Sequence, residues 1–230
     1  DMGNFGKDAK YVIAFDPLDG STNVDVNLSV GTIFSVQRLL PGLDRADERH
    51  FFQPGRDQVL AGYILYSAST VIVFSWGDGV HEFTLDQSLG EFLLSRENIK
   101  IPDACKIYSF NEGNFKYLFD RDKKFIEYLR DELKCDCRYV SAMVADIHRN
   151  LVKGGIFIYP SVDKKGNGEF KPKLRLNYEA KPMAYLAHQA GGASTDGQKS
   201  LLDIAGESLH ERVAVFIGNK SIIENYLNNN

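Results

Sequence analysis

The sequence predicts an α/β protein of the layered α+β kind, with strands dominating the first half and helices mixed with strands in the second. Two observations carry this. Short β-branched and aromatic runs, separated by Gly- and Asp-containing turns, succeed one another up to Leu94. Beyond them, apolar residues recur at helical spacing between short apolar runs.

The run Tyr11-Val12-Ile13-Ala14-Phe15 reads as a buried strand, and Pro17, which cannot donate to a ladder, should end it. Strands are then expected over Gly31 to Val36, Val59 to Tyr66, Thr70 to Ser75, His81 to Leu85 and Glu91 to Leu94. Arg121 to Lys134 puts Phe125, Leu129 and Leu133 on one helical stripe, and Met143 to Val152 follows as a second helix. Ile156 to Tyr159 is a short buried strand. Pro182 to Ala190 is helical, with Pro in its first turn and Gly191-Gly192 beyond its end. Val213 to Ile217 and Lys220 to Leu227 close the chain as strand and helix. No repeat or linker interrupts this order, and the tail Asn228-Asn229-Asn230 is expected to fray.

At 230 residues and 25.8 kDa the chain makes one large domain or two small ones with a substantial core. A hydrophobic fraction of 43%, with 15 Phe and 11 Tyr, belongs to a packed globule rather than a disordered chain. The net charge of −4, without a basic run, argues against a nucleic-acid partner, so an anionic substrate must meet local cations. No stretch is long and apolar enough for a membrane span, and Asp1-Met2-Gly3-Asn4 is not a signal peptide, which makes the cytoplasm the expected location. Cys105, Cys135 and Cys137 are an odd set without C-x-x-C spacing and read as reduced thiols. His50, His81, His188 and His210 lack metal-ligand spacing, and Gly154-Gly155 is too short for a nucleotide loop. Asp146, His148 and Arg149 look like a catalytic cluster, but at i, i+2 and i+3 of a helix they do not share one face and read as structural hydrogen-bonding residues.

The chemistry concentrates in Phe15-Asp16-Pro17-Leu18-Asp19-Gly20-Ser21-Thr22-Asn23, where two carboxylates three positions apart precede a Gly-Ser-Thr turn. Carboxylate oxygens are hard ligands suited to Mg²⁺, which is usually held by one or two of them plus substrate phosphate. Backbone N–H groups of Gly20, Ser21 and Thr22 suit the phosphate, as at a helix N-terminus. The same residue types serve a plain turn equally well.

The longer string separates these readings. Asp16-Pro17-Leu18-Asp19-Gly20-Ser21 resembles the metal motif of the lithium-sensitive, Mg²⁺-dependent phosphatases, and its continuation from Asn23 to Ser35 is similar to the class I fructose-1,6-bisphosphatases. Further segments resemble that family in the same order: Gln53-Pro54-Gly55, Ala61-Gly62-Tyr63, Tyr108 to Gly113, Arg138-Tyr139-Val140, Val144 to Arg149 and Lys173 to Glu179. The resemblance covers nearly the whole chain. It implies the layered sugar-phosphatase fold, with 1–95 as the remainder of an N-terminal, allosteric and metal-motif half and 96–230 as a C-terminal substrate-binding half.

The activity implied is Mg²⁺-dependent hydrolysis of the 1-phosphate of fructose 1,6-bisphosphate, giving fructose 6-phosphate and inorganic phosphate in gluconeogenesis. Asp16, Asp19 and Glu179 become the catalytic carboxylates. With the Leu18 carbonyl they are the implied ligands of two or three Mg²⁺ ions, Mn²⁺ and Zn²⁺ being alternatives. Gly20 and Ser21 hold the departing phosphate. Asn111, Arg138, Tyr139, Tyr159 and Lys173 hold the second phosphate, and Met143 lines the sugar site. In the family this arginine reaches in from a neighbouring subunit, which implies a homo-oligomer, a tetramer built from dimers. Lys10, Tyr11 and Arg38 match part of an AMP inhibitory site. The family's N-terminal helices, which carry much of that site and further acidic ligands, have no counterpart among the 15 residues before Asp16, where the only acids are Asp1 and Asp8. The expectation is therefore a fragment, or a chain completed by another polypeptide, that binds Mg²⁺ poorly alone. A sedoheptulose-1,7-bisphosphatase and a truncated non-catalytic scaffold subunit are the alternatives.

Two departures stand out. Asn114 stands where many members have Tyr at the second phosphate. Lys181 stands where Asn commonly precedes the Pro-Met-Ala-Tyr helix, placing a cation two residues from Glu179.

Overall fold

A computed structural model describes residues 8–228 and contains two main sheets separated by helices. Asp1, one of the two upstream acids, lies outside the described residues, as do 229 and 230 of the tail expected to fray.

The first sheet is an antiparallel meander of six strands in sequence order: β1 (Tyr11–Asp19), β2 (Val30–Arg38), β3 (Gln58–Tyr66), β4 (Thr70–Ser75), β5 (His81–Asp86) and β6 (Glu91–Arg96). The second is mixed and built from short strands, in the order β11 (Ala193–Thr195), β13 (Val215–Gly218), β9 (Ile156–Tyr159), β7 (Ile107–Ser109), β8 (Asp136–Cys137). A two-stranded ribbon pairs β10 (Leu174–Arg175) with β12 (Arg212–Val213). The helices are α1 (Asp120–Glu127), α2 (Met143–Lys153), α3 (Lys181–Gln189) and α4 (Lys220–Asn228).

Side-chain alternation along β9 and β13 sorts these elements into layers. Phe157, Val215 and Ile217 join a core shared with α2, α3 and the six-stranded sheet. Ile156, Ile158 and Phe216 point the other way, into a second core with α1 and α4. Buried on both faces, β9 and β13 read as continuous apolar runs. Among the described residues, no helix is long and apolar enough to cross a membrane.

Several expectations need correction. The first strand is not buried: β1 is an edge strand in which Val12 is buried while Ile13 and Phe15 are 61% and 58% exposed. Nor does it stop before Pro17. It runs to Asp19 by taking one extra residue, since Asp16 pairs with Ile33 but Asp19 with Gly31. An edge strand and a bulge are the places where a sheet tolerates Pro. The helix from 121 ends as α1 at Glu127 and continues as a π-helical turn over Tyr128–Glu132. The wider turn, in which Leu133 N–H donates to the Tyr128 carbonyl, leaves Leu129 buried but carries Leu133 to 38% exposure. A π-helical turn over Leu176–Ala180 likewise precedes α3, so the helical chain begins before Pro182. The single strand expected over 213–217 divides at Ala214, β12 pairing with β10 and β13 with β9 and β11.

Candidate metal and phosphate site

The bulge in β1 presents the Asp16-Pro17-Leu18-Asp19 segment at the sheet end. Leu18 N–H donates to Asp16 Oδ1 at 3.0 Å, and Thr32 Oγ1 donates to the Pro17 carbonyl at 3.0 Å, fixing the bulge from within and from β2. Gly20 follows at φ +75°, and a Cβ there would lie 2.6 Å from Ala142 Cβ, so both its conformation and its close approach require glycine. The chain then enters a 3₁₀ turn over Ser21–Val26. The N–H groups of Ser21 and Thr22, at the start of that turn, fall outside its internal ladder.

Glu179 arrives from the π-helical turn before α3, where it accepts a hydrogen bond from Arg175 N–H. One carboxylate oxygen each from Asp16, Asp19 and Glu179 lies within 4.8 Å of the others. Burial, the largest influence, and the neighbouring Asp16 push the Asp19 carboxyl up to about 6, against the Val144 amide that favours its charged form. Burial and the other two aspartates push Glu179 up to about 7, against the Arg175 amide. Three hard oxygen donors repelling one another in a half-buried corner suit a divalent cation, whose charge would relieve that repulsion.

These carboxylates border a cavity of about 220 Å³ that is also lined by Leu18, Gly20, Ser21, Thr22, Tyr139, Ser141, Met143, Tyr159 and Lys173. The structure thus brings together most of the residues singled out by sequence. Burial pushes the Tyr139 and Tyr159 phenols up, so both are neutral donors at ordinary pH. A second, larger cleft of about 730 Å³ shares Asp16, Lys173 and Glu179 and runs along Val12 to Pro17 past Phe51, Tyr178 and Arg212.

Other candidates lie elsewhere. The Arg138 side chain is 62% exposed and sits 3.5 Å from Asp136. Asn111 caps the 3₁₀ turn Glu112–Tyr117, which contains Asn114, and accepts from Gly113 N–H at 3.1 Å. Neither Arg138 nor Asn111 lines the 220 Å³ cavity. Tyr11 and Arg38 are cross-strand partners at the opposite end of β1, with the guanidinium carbon 5.4 Å from the ring centre, and exposed Lys10 adjoins them. Lys181 does not pair with Glu179. It is fully buried and donates to the Gln53 carbonyl at 2.9 Å and Asn177 Oδ1 at 2.7 Å.

Sequence reasoning missed the parts of the site that act through the backbone. The Val144 amide, in the first turn of α2, donates to Asp19 Oδ2 at 2.8 Å. Asn23 is buried and ties the motif turn to residue 140, donating to the Val140 carbonyl at 3.1 Å. Ser141 lines the cavity in a left-handed conformation, φ +68°, that its sequence does not announce.

Residues 2–97 match the family described as the fructose-1-6-bisphosphatase N-terminal domain, and residues 101–229 match its C-terminal domain. The chain is 53% identical over 220 residues to the class 1 fructose-1,6-bisphosphatase of Sulfurihydrogenibium sp. (strain YO3AOP1), covering 95% of this chain and 65% of that protein. It is 50% identical over 218 residues to the class 1 enzyme of Chlorobaculum tepidum, covering 92% of this chain and 64% of the relative. The chain thus spans about two-thirds of these relatives' length. The crystal structure of Leishmania major fructose-1,6-bisphosphatase in holo form is similar at a TM-score of 0.87 and 40% identity, over 95% of this chain and 68% of that one.

Proposed function

From the premise that the chain belongs to the class 1 fructose-1,6-bisphosphatase family, we propose that its complete protein hydrolyses the 1-phosphate of fructose 1,6-bisphosphate with the help of divalent cations. The observation that carries this reading is the meeting of Asp16, Asp19 and Glu179 within 4.8 Å beside the Gly20-Ser21 turn.

Mg²⁺ held by these carboxylates and the Leu18 carbonyl would neutralise phosphate oxygens and lower the pKa of a bound water. The chain's own residues do the rest. Ser21 and Thr22 offer backbone N–H groups to the 1-phosphate, from a turn that Gly20 lets pack closely against Ala142. Lys173 supplies a fixed positive charge, and Tyr139 and Tyr159 supply neutral donors toward the 6-phosphate. Met143 forms an apolar wall for the sugar. Arg138, exposed on one protomer, serves a neighbour's site in a homo-oligomer. Residues 1–95 act as the remainder of the metal-motif half and 96–230 as the substrate-binding half, with Lys10, Tyr11 and Arg38 contributing to an AMP site.

Phosphate release from fructose 1,6-bisphosphate and sedoheptulose 1,7-bisphosphate, measured on the complete protein with Mg²⁺, tests the reading. Higher catalytic efficiency on the fructose ester is expected. Absence of Mg²⁺-dependent release, or preference for the seven-carbon sugar, would sink it.

A further inference from the structure

Asp146 is fully buried, and its carboxylate is ringed by donors from one short strip of chain. Val140 N–H donates to both carboxylate oxygens, at 3.0 and 3.1 Å, and Ser141 N–H donates to Oδ2 at 3.2 Å. Arg149 lies one turn further along α2. Its Nη2 is at hydrogen-bonding distance from three acceptors: Asp146 Oδ1 at 2.6 Å, the Arg138 carbonyl at 2.7 Å and Ser109 Oγ at 2.6 Å. Asn23 holds the Val140 carbonyl, and the Tyr108 carbonyl accepts from Arg138 N–H at 2.9 Å. The peptide groups of Arg138, Val140 and Ser141 are therefore all fixed from outside the strip. Ser141 sits in the left-handed region at φ +68°, a conformation a non-glycine residue keeps when its surroundings impose it.

A buried ion pair adds little net stability, because desolvation offsets much of the attraction. What this one does is direct a backbone. The strip it directs carries Arg138 and Tyr139, and Tyr139 lines the cavity one residue from the held amide of Val140. We propose that Asp146 and Arg149 are positioning residues for the distal phosphate, fixing the Arg138–Ser141 strip so that Tyr139 faces its own cavity and Arg138 is presented outward. The ligand's identity rests on the bisphosphatase reading above; the holding of the strip does not.

The distal phosphate is not transferred, so its contacts are made equally in ground and transition states and are read in KM. Arg149→Lys keeps a charge on α2 near Asp146 but ends one bond short of the Nη2 position that reaches Asp146, the Arg138 carbonyl and Ser109 together. In the complete protein this variant should raise KM for fructose 1,6-bisphosphate about tenfold, with kcat within about threefold. KM for fructose 1-phosphate, which has no distal phosphate, should stay unchanged. Asp146→Asn should give the same split. Without substrate, amide hydrogen exchange at Val140 and Ser141 should accelerate about tenfold or more, while amides of β9 stay protected. A merely structural role would move both KM values together. Equal losses on the two sugars, or unchanged KM with unchanged exchange, would overturn the proposal. A wild-type protein without turnover, whose variants still exchange faster at Val140 and Ser141, would overturn the bisphosphatase reading and support the holding role. Should both variants fail to fold, Ser109→Ala, which removes one Arg149 acceptor, must show the same split in smaller measure; its absence counts against the pair.

Discussion

Val144 donates its backbone N–H to Asp19 Oδ2 at 2.8 Å across 125 positions of sequence, joining the bulged end of the first sheet to the start of α2. The bond orients the carboxylate without neutralising it. Asp19→Asn keeps an oxygen that can accept from Val144 but removes one negative charge from a hard-cation site. The variant should fold with a thermal midpoint equal to or above wild type, because burial already disfavours the charge. In the complete protein it should lose about a thousandfold or more in turnover. Asp16→Asn and Glu179→Gln should do likewise. Near-normal rates at saturating Mg²⁺ in any of the three would remove that residue from the ligand set.

The two raised carboxyls set a pH dependence for metal binding. Asp19 titrates about 6 and Glu179 about 7, both above their ordinary range because burial and mutual repulsion favour the neutral forms. A ligand must be deprotonated, so Mg²⁺ or Mn²⁺ binding should weaken as pH falls from 8 through 6 and should release protons below pH 7. For the metal-free fold the sign is opposite. Between the unfolded values, near 4, and the folded ones, the native state binds protons that the unfolded chain has lost, so these groups reduce stability as pH rises through that window. Calorimetric titration in buffers of different ionisation enthalpy reads the proton release. Affinity independent of pH between 6 and 8 would contradict the clustering.

Much of the fold was legible because strands β2 to β6 announce themselves by composition and by turns between them, and α2 and α4 by apolar spacing. Illegible parts share a cause: they depend on tertiary pairing. Nothing local says that Pro17 lies in a bulge rather than beyond a strand, that Leu133 follows a π-helical turn, or that Glu179 lies within one. The same holds for the site. Asp16, Asp19 and Gly20 are visible as a motif, whereas the Val144 amide has no side-chain signature and Lys181 looks like a neighbour of Glu179 until its side chain is seen turned toward Asn177.

The exposed Arg138 side chain yields a prediction about assembly. Arg138→Ala should raise KM for the bisphosphate far more than it lowers kcat. If the residue acts across an interface, mixing Arg138→Ala subunits with inactive Asp19→Asn subunits should create some sites in which both residues are wild type. Activity should therefore recover on mixing. Confirmed hetero-oligomers without recovery would place Arg138 outside the shared site.

Buried Lys181 gives a test independent of function. Its ammonium group meets one carbonyl and one amide oxygen, and burial lowers its pKa to about 8, partly opposed by Glu211. Lys181→Ala would leave those acceptors unpaired beside a cavity, at a cost of about 2–5 kcal/mol; Lys181→Met, which fills the space, should lose only about 1–3 kcal/mol. Between pH 8 and 10.5 the unfolded chain holds a proton that the folded one has released, so wild-type stability gains from this group as pH rises. Urea denaturation at pH 8 and 10 should show that gain in wild type and its loss in Lys181→Met. Identical pH slopes would mean that the ammonium is better solvated than its surroundings indicate.

The last prediction concerns these 230 residues alone, against a chain extended to the full length of the class 1 relatives. Among the described residues, Asp16, Asp19 and Glu179 supply three negative charges to the site, whereas two divalent ions bring four positive ones, before a third ion is counted. Ligand number and charge set affinity for hard cations, so the 230-residue chain should bind Mg²⁺ in the millimolar range or weaker. The extended chain should bind at least about tenfold more tightly and be the one that releases phosphate. Tyr11, Ile13 and Phe15 add a second expectation. They are 43%, 61% and 58% exposed along one edge strand, beside the 730 Å³ cleft that opens onto Asp16 and Glu179, and such a strip favours self-association. Light scattering on the shorter chain should therefore show concentration-dependent growth beyond the defined homo-oligomer of the extended chain. Phosphate release by the shorter chain at a rate matching the extended one, at millimolar Mg²⁺, would show that three carboxylates suffice.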